Sequence, residues 1–381
     1  MENKYLITII LLALFSSCKH KDKGIPTIIS DNNIEYVKDN VLHNLFDSIT
    51  FIPLQENPEC LLGDIHKIQK VNNEYFVMAT GSNRFPRVYR FNQDGIFLNN
   101  IGQIGNANSE YMRIGSFIVV DNLVYIADLD KKRMLIFDIN GNFISAKDGT
   151  DNFPFLHDME IVDDSKALFS YNINFSNSGI LYEVVDLQSF EKLHAIKTNY
   201  VAKGSIPYGL KTIGKDGNKI LLSFPIENTI YEMDTNSYAL QTAINVELWG
   251  DIPQHESNDI DEVYNVIEKT GTKLIRSFFV SEDKILINSL EGSVVWNKIQ
   301  KKGNYIANGS DLNIMQCFPF FPLSVIYADN DGFYITMAAD RFNYIVQEIH
   351  SSEKALMPSI GIVNQMINKT NPIIVKYKFK D

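Results

Sequence analysis

The sequence predicts an all-β fold: a six-bladed β-propeller of four-stranded antiparallel blades with short helical insertions. Short alternating apolar and polar runs are separated by turn signals about every 8–12 residues, which favours many short strands. A hairpin unit returns 46 residues later, from Gly95 to Gly141, and a period of about 40–50 residues is typical of propellers. The 18 Tyr and 24 Phe add side chains that favour strands.

The N-terminus has the pattern of a secretion signal. The apolar run Tyr5–Phe15 is too short to span a bilayer, which needs about 20 residues, but it suits the apolar region of a signal peptide. Ser16 and Ser17 then precede Cys18, an arrangement that resembles the bacterial lipoprotein signal, although Leu is usual where Phe15 stands. The alternatives are an ordinary signal peptide with a chance cysteine and a buried apolar helix.

From this pattern we expect three parts: a lipoprotein signal peptide (1–17), a lipidated tether (18–44) and a single propeller domain (45–381). Acyl chains on Cys18 would hold the protein at a membrane without a transmembrane helix, since each buried methylene contributes about 0.8 kcal/mol. The expected location is the cell envelope, as an outer-membrane lipoprotein that faces the periplasm or the cell surface.

The clearest repeating unit is a pair of strands joined by a glycine turn. Arg87–Leu98 has strand residues on both sides of Asp94-Gly95, and Leu135–Ile144 repeats this pattern around Asn140-Gly141. Asp-Gly and Asn-Gly supply the positive φ that a tight turn needs. Weaker copies extend the repeat to six units, whose inner strands are predicted to start near Ile65, Phe117, Met159, Leu210, Phe278 and Leu323.

Two strands and one helix complete the predicted ring. Ile49–Leu54 and Ile373–Phe379 have no partner nearby in the sequence, so we place both in one blade, where the two ends of the chain close the ring. Asp259–Lys269 carries apolar residues with helical spacing, which predicts a short surface helix capped by Ser257 or Asn258.

Four segments carry a resemblance to a known family. They are the hairpin and Gly-containing run Phe91–Tyr111, the strand pair Val124–Ile144, the C-terminal Asn371–Lys380 and the early strand Ser48–Glu56. Together they resemble the NHL-type six-bladed propeller lipoproteins of Gram-negative, Bacteroides-type bacteria, although Asn108-Ser109 replaces the usual Pro-Gly. The resemblance implies the fold and a cell-envelope location, and it implies no established activity.

Propellers usually bind at the face where loops lead into the innermost strands, around the central channel. An Arg guanidinium suits a carboxylate and an aromatic face suits a sugar ring, so these loops predict a carboxylate-bearing or sugar-like ligand. His157 and Asp158 are a candidate acid–base pair. Ordinary packing and turn roles are the alternative for each residue. The candidate ligand-binding residues are His66, Arg113, His157, Asp158, Tyr208, Arg276 and Phe320.

These observations favour a ligand-binding or protein-interaction module over an enzyme. The sequence has no nucleophile elbow, zinc-protease motif, phosphate-binding loop or C-x-x-C pair, and its net charge of -11 argues against nucleic-acid coating. The alternatives are a channel-centred, metal-dependent hydrolase or lyase and a structural subunit of an outer-membrane assembly. We expect a monomer at the membrane, with an envelope protein or glycan as partner.

We expect no cofactor and no metal. Asp329, Asn330 and Asp331 precede Gly332 as in a Ca²⁺ loop, but the Glu that should follow is absent, so a hairpin turn is the better interpretation. Whether Cys60 and Cys317 form a disulfide is left open by the sequence.

Overall fold

The computed structural model describes residues 25–37, 45–81, 85–172, 179–200, 211–307, 325–342 and 370–380. These residues form six antiparallel sheets arranged as the blades of a ring, which confirms the predicted six-bladed propeller. Three strands precede the first blade: β1 (Thr27–Ile29), β2 (Ile34–Tyr36) and β3 (Phe46–Pro53).

Blades one to three follow in chain order, each numbered from the axis outwards. Blade one consists of β4 (Ile65–Val71), β5 (Glu74–Thr80), β6 (Pro86–Phe91) and β7 (Phe97–Ile101). Blade two consists of β8 (Ile114–Val120), β9 (Leu123–Asp128), β10 (Arg133–Asp138) and β11 (Phe143–Asp148). Blade three consists of β12 (Leu156–Asp163), β13 (Lys166–Tyr171), β14 (Ile180–Asp186) and β15 (Lys192–Lys197).

Blades four to six complete the ring. Blade four consists of β16 (Ile213–Asp216), β17 (Lys219–Ser223), β18 (Thr229–Met233) and β19 (Leu240–Val246). Blade five consists of β20 (Ser277–Val280), β21 (Lys284–Asn288), β22 (Gly292–Asn297) and β23 (Lys302–Ala307). Blade six consists of β24 (Val325–Asp329), β25 (Gly332–Met337) and β26 (Ile373–Phe379), with β3 outermost.

The ring closes as the sequence predicts. In blade six, β26 pairs antiparallel with β25 on one side and with β3 on the other. Hydrogen bonds of Asn371 join this blade to the segment that leads into blade one. The buried side chain of Asn371 accepts from Leu62 N at 2.8 Å and donates to the carbonyl oxygens of Gln55 and Cys60 at 2.9 and 2.7 Å.

The N-terminal strands add a fifth member to two blades. Both pair in parallel with an outermost strand, β1 with β19 of blade four and β2 with β23 of blade five. Ile29 of β1 is fully buried, so this segment packs against the ring. Both strands lie within the range 18–44 predicted as a tether. The sheets of the propeller therefore include residues from before the predicted domain boundary at 45.

The glycine turns of the repeat lie where neighbouring blades meet. Gly95 and Gly141 have positive φ, +79° and +84°. A Cβ on Gly95 would lie 2.0 Å from the carbonyl oxygen of Pro53 in blade six, and one on Gly141 would lie 2.3 Å from that of Asn100 in blade one. A side chain at either position would therefore collide with the backbone of the preceding blade.

The core is divided among the blade interfaces. Within the described ranges, apolar side chains form six clusters, each of which lies between two adjacent blades. Phe117 and Phe137 belong to the cluster between blades one and two. Aromatic rings fill much of these interfaces, in keeping with the composition.

The predicted surface helix is present as α1 (Ile260–Thr270), between blades four and five. Asp259 caps it by accepting from the backbone of Asp261, in place of Ser257 or Asn258. Its apolar face adds to the cluster between blades three and four. Three 3₁₀ turns occur among the described residues: Asp31–Asn33, Phe153–Phe155 and Glu247–Trp249.

Candidate functional site

A network of charged side chains crosses the propeller axis. Lys67 Nζ on β4 donates to Asp158 Oδ1 on β12 at 2.6 Å and to Ser116 Oγ on β8 at 3.0 Å. Lys211, two residues before β16, donates to the other oxygen of Asp158 at 2.9 Å and to Glu160 Oε2 at 3.3 Å. The axial ion network, defined as Lys67, Asp158, Glu160 and Lys211, thus joins blades one, three and four.

Strand alternation puts these charges on the axis. Neighbouring residues of a strand point to opposite faces, so Asp158 and Glu160 face the channel while Met159 between them is fully buried. Lys67 likewise precedes Ile68, which is buried between blades. On β4 and β12 the charged side of the strand therefore lines the channel, and the apolar side packs against the neighbouring blade.

The network fixes the charge states of Asp158 and Lys211, whereas burial lowers the pKa of Lys67 despite the nearby carboxylate of Asp158. Burial opposes ionisation of Asp158, but the ammonium groups of Lys211 and Lys67 outweigh it and hold the pKa of this carboxyl well below its ordinary value. Burial also opposes the charge of Lys211, yet Asp158 and Glu160 raise its pKa above the ordinary value. At neutral pH, Asp158 is therefore a carboxylate and Lys211 an ammonium.

Two cavities lie along the axis, one at each end. The upper cavity, about 760 Å³, is at the face where the chain leads into the inner strands, and its wall includes His66, His157, Ile114 and Val325. The lower cavity, about 850 Å³, is lined by turns that join inner strands to second strands, among them Asn72, Asp121, Asp164, Gly217 and Asp331. Lys211 and Glu160 line both cavities.

The structure brings together three of the predicted ligand-binding residues. His66, His157 and Asp158 all line the upper cavity. Arg113 lies apart on blade two, more than half exposed, with its Nε 2.8 Å from Asp130 Oδ1. Arg276 lies just before β20, near Tyr264 of α1. Neither arginine is part of the cavity wall.

The remaining predicted residues lie outside the described ranges. These are Tyr208 and Phe320 of the candidate site, the lipidation residue Cys18, and Cys317. Cys60 is buried with a free thiol, and burial raises the pKa of this thiol to about 12.

The geometry of Asp158 bears on the candidate acid–base pair. Its carboxylate accepts from Lys67, Ser116 and Lys211, and its lowered pKa makes it a weak base. The side chain of His157 is exposed in the same cavity. An acid–base role for this pair stays a prediction.

Sequence reasoning missed the two lysines and Glu160. The signal that could have found them is a polar residue at every second position of an inner strand, as in Lys67 and Gln69 or in Asp158 and Glu160. Such positions on a strand buried by both neighbours can only face the axis of a propeller.

Neither a metal-binding cluster nor a membrane-spanning helix occurs among the described residues. They contain no group of three or more His, Cys, Asp or Glu side chains that could hold a metal ion. Within the same ranges, none of the helices combines the length and the apolar character needed to cross a membrane.

Residues 26–378 match a family described as a domain of unknown function, DUF4934. The chain belongs to this family. No curated protein matches this DUF4934 member in sequence.

Solved structures share its fold. A protein of Bacteroides fragilis, named as an exported protein, is 16% identical with a TM-score of 0.71, over 94% of this chain and 100% of that one. A member of the DUF4221 family from Bacteroides vulgatus is 11% identical with a TM-score of 0.54, over 92% of this chain and 100% of that one. At such low identity the similarity concerns the fold alone.

Proposed function

We propose that this chain is a lipid-anchored propeller of the cell envelope that binds a ligand or partner protein in its upper cavity. The observation that carries the proposal is the cavity itself, about 760 Å³ with the axial ion network at its inner end. Ligand sites are typically concave, about 300–1,000 Å³ in volume, with a few polar groups among apolar walls.

The cavity offers groups for a carboxylate-bearing or sugar-like ligand. An ammonium group has three donors. In the described part of the chain, Lys211 donates to two carboxylates, which leaves one donor for a ligand. His66 and His157 can donate or accept on the wall, while Ile114 and Val325 offer apolar surface. An acidic glycan, or an envelope protein that presents a carboxylate, would use both kinds of group.

The anchor in this proposal is Cys18. Its support is the sequence: a short apolar run, two small residues and a cysteine, as in the NHL-type propeller lipoproteins that the chain resembles. A protein of the same fold is named as exported, in keeping with an envelope location. We propose outer-membrane attachment of a monomer, facing the periplasm or the cell surface.

Arrays of acidic and neutral glycans, together with pull-downs from envelope extracts, test the binding proposal. The double substitution His66→Ala with His157→Ala changes two exposed side chains of the cavity. Its matched control is Lys215→Ala, an exposed side chain at the lower cavity. We expect the double variant to lose binding and the control to retain it. Binding that survives the double variant, or no binder at all, would contradict the proposal.

Metabolic labelling with a fatty-acid analogue tests the anchor. The full-length chain expressed in a Gram-negative host should incorporate label and fractionate with outer membranes, and Cys18→Ala should do neither. Label that persists in Cys18→Ala would show that the acyl group is attached elsewhere.

A further inference from the structure

A third cavity lies away from the axis, at the junction of blades three and four. Its volume is about 500 Å³. Tyr200, three residues after β15, forms one wall, and Phe224 and Tyr231 of blade four form another. His255, in the segment that leads to α1, lies on the side of Tyr200. Four aromatic rings thus surround a space that the upper-cavity proposal does not use.

Glu227 places a carboxylate in this cavity, and the exposed Lys197 also lines it without forming an ion pair with Glu227 in the described ranges. The hydroxyl of Tyr231 donates to Glu227 Oε2 at 2.6 Å. Across the described ranges, the carboxylate has no ion pair with a Lys, Arg or His nitrogen, unlike Glu160 or Glu232. Burial raises the pKa of Glu227. Burial also raises the pKa of Tyr200, and the negative charge of Glu227 raises it further.

The hydrogen bonds of the aromatic wall use the protons of its two tyrosine hydroxyls. His255 Nδ1 lies 2.9 Å from the carbonyl oxygen of Pro253, which can only accept, so we assign the proton of the neutral ring to Nδ1. His255 Nε2 then accepts from the hydroxyl of Tyr200 at 3.0 Å. The hydroxyl protons of Tyr200 and Tyr231 are therefore used within the wall, so the part of the cavity around Glu227 offers acceptors to a ligand.

We infer that this cavity binds an organic ammonium group, with Glu227 as its counter-ion and the rings of Tyr200 and Tyr231 against the cation. A partly buried carboxylate is costly unless it is paired. The face of an aromatic ring attracts a cation within about 6 Å of its centre. A neutral sugar would leave the charge of Glu227 unpaired. An anion would be repelled by Glu227 and would pair instead with the exposed Lys197. An alkylammonium group satisfies both the carboxylate and the rings.

Calorimetric titration of the folded protein with n-pentylammonium chloride tests this assignment, with 1-pentanol as the neutral probe of equal length. We expect saturable binding of the ammonium and none of the alcohol. Glu227→Gln keeps the shape of the side chain and should weaken binding at least tenfold. Glu232→Gln is the matched control, because Glu232 lies on β18, which follows Glu227 in the chain, but pairs with Lys219 outside the cavity. This control should bind as the wild type does.

The rings have a test of their own. Tyr231→Phe keeps the ring and removes the bond to Glu227, so binding should be retained. Tyr231→Leu removes the ring and should weaken binding about fivefold, since an exposed cation–π contact contributes about 1 kcal/mol. Melting curves of each variant confirm that it is folded. Equal binding of pentanol, full affinity in Glu227→Gln, or no saturable heat with the wild type would each overturn the inference.

The affinities of three further amines distinguish the possible sources of the ammonium group. Nα-acetyl-lysine amide represents a lysine side chain, glycine amide a peptide N-terminus and cadaverine a free polyamine. Preference for one of them names the source. None of these outcomes depends on the upper cavity, so the inference and the proposed function can fail separately.

Discussion

Asn371 offers the sharpest test of how the ring is held closed. The substitution Asn371→Ala removes three hydrogen bonds that join the start of β26 to the backbone of Gln55, Cys60 and Leu62. At about 1 kcal/mol for each bond, the free energy of unfolding should fall by about 3 kcal/mol. Unfolding entropy is about 2.1 cal/mol/K per residue, or about 0.8 kcal/mol/K for this chain, so the melting temperature should fall by about 4 °C.

Thermal unfolding followed by circular dichroism measures this change, and urea unfolding gives the free energy directly. The control is Asn236→Ala, an exposed asparagine in a turn of blade four whose backbone, not its side chain, bonds to Asp234. This control should melt within about 1 °C of the wild type, since surface changes usually stay within ~0.5 kcal/mol. If both variants melted at the same temperature, the hydrogen bonds of Asn371 would not stabilise the closed ring.

Three further predictions concern the axis and the blade turns. Asp158→Leu should lower the free energy of unfolding in urea by about 3–5 kcal/mol, because it leaves Lys67 and Lys211 without their shared carboxylate. Adding Lys67→Met should restore part of this loss. If the effects of the two substitutions were additive, the coupling would be refuted. The pKa of Asp158 is lowered in the fold, so the stability that this carboxylate contributes is present at neutral pH and is lost as pH falls below the unfolded pKa of about 3.9. The melting temperature of Asp158→Asn should therefore approach that of the wild type between about pH 5 and pH 2. A difference in melting temperature that stays constant with pH would contradict the assignment. Gly141→Ala should be destabilised by more than about 1 kcal/mol, and by more than Gly217→Ala, which shares a positive φ but has no atom within 4 Å of the added Cβ; equal losses would show that the contact with Asn100 is unimportant.

Much of the fold could be predicted because its signals are local or repeated. Gly95 and Gly141 mark equivalent turns of two blades, and their spacing alone indicates the repeat. The closing blade followed from two strands, Ile49–Leu54 and Ile373–Phe379, that had no other partner. The pairing of β1 and β2 could not be predicted, since Thr27 pairs with Ile244 in parallel and no local pattern encodes such a contact.

The site was predicted less well, and β-bulges explain part of the difference. The pairing of β4 with β5 shifts register between Ile65 and Lys67, and that of β12 with β13 shifts between Leu156 and Asp158. A shift of one residue reverses which side chains face the axis. The sequence therefore located His66 and His157 in the right region without showing that Lys67 and Asp158 would meet.

The N-terminal strands also decide how the propeller would respond to force. A pull on residue 25 reaches β1 on blade four first, then β2 on blade five, and only then β3, which holds blade six together. The first two strands can detach and leave four-stranded sheets behind them. Tension applied through the N-terminus would thus be released in two steps at the rim before it reached the strand that closes the ring.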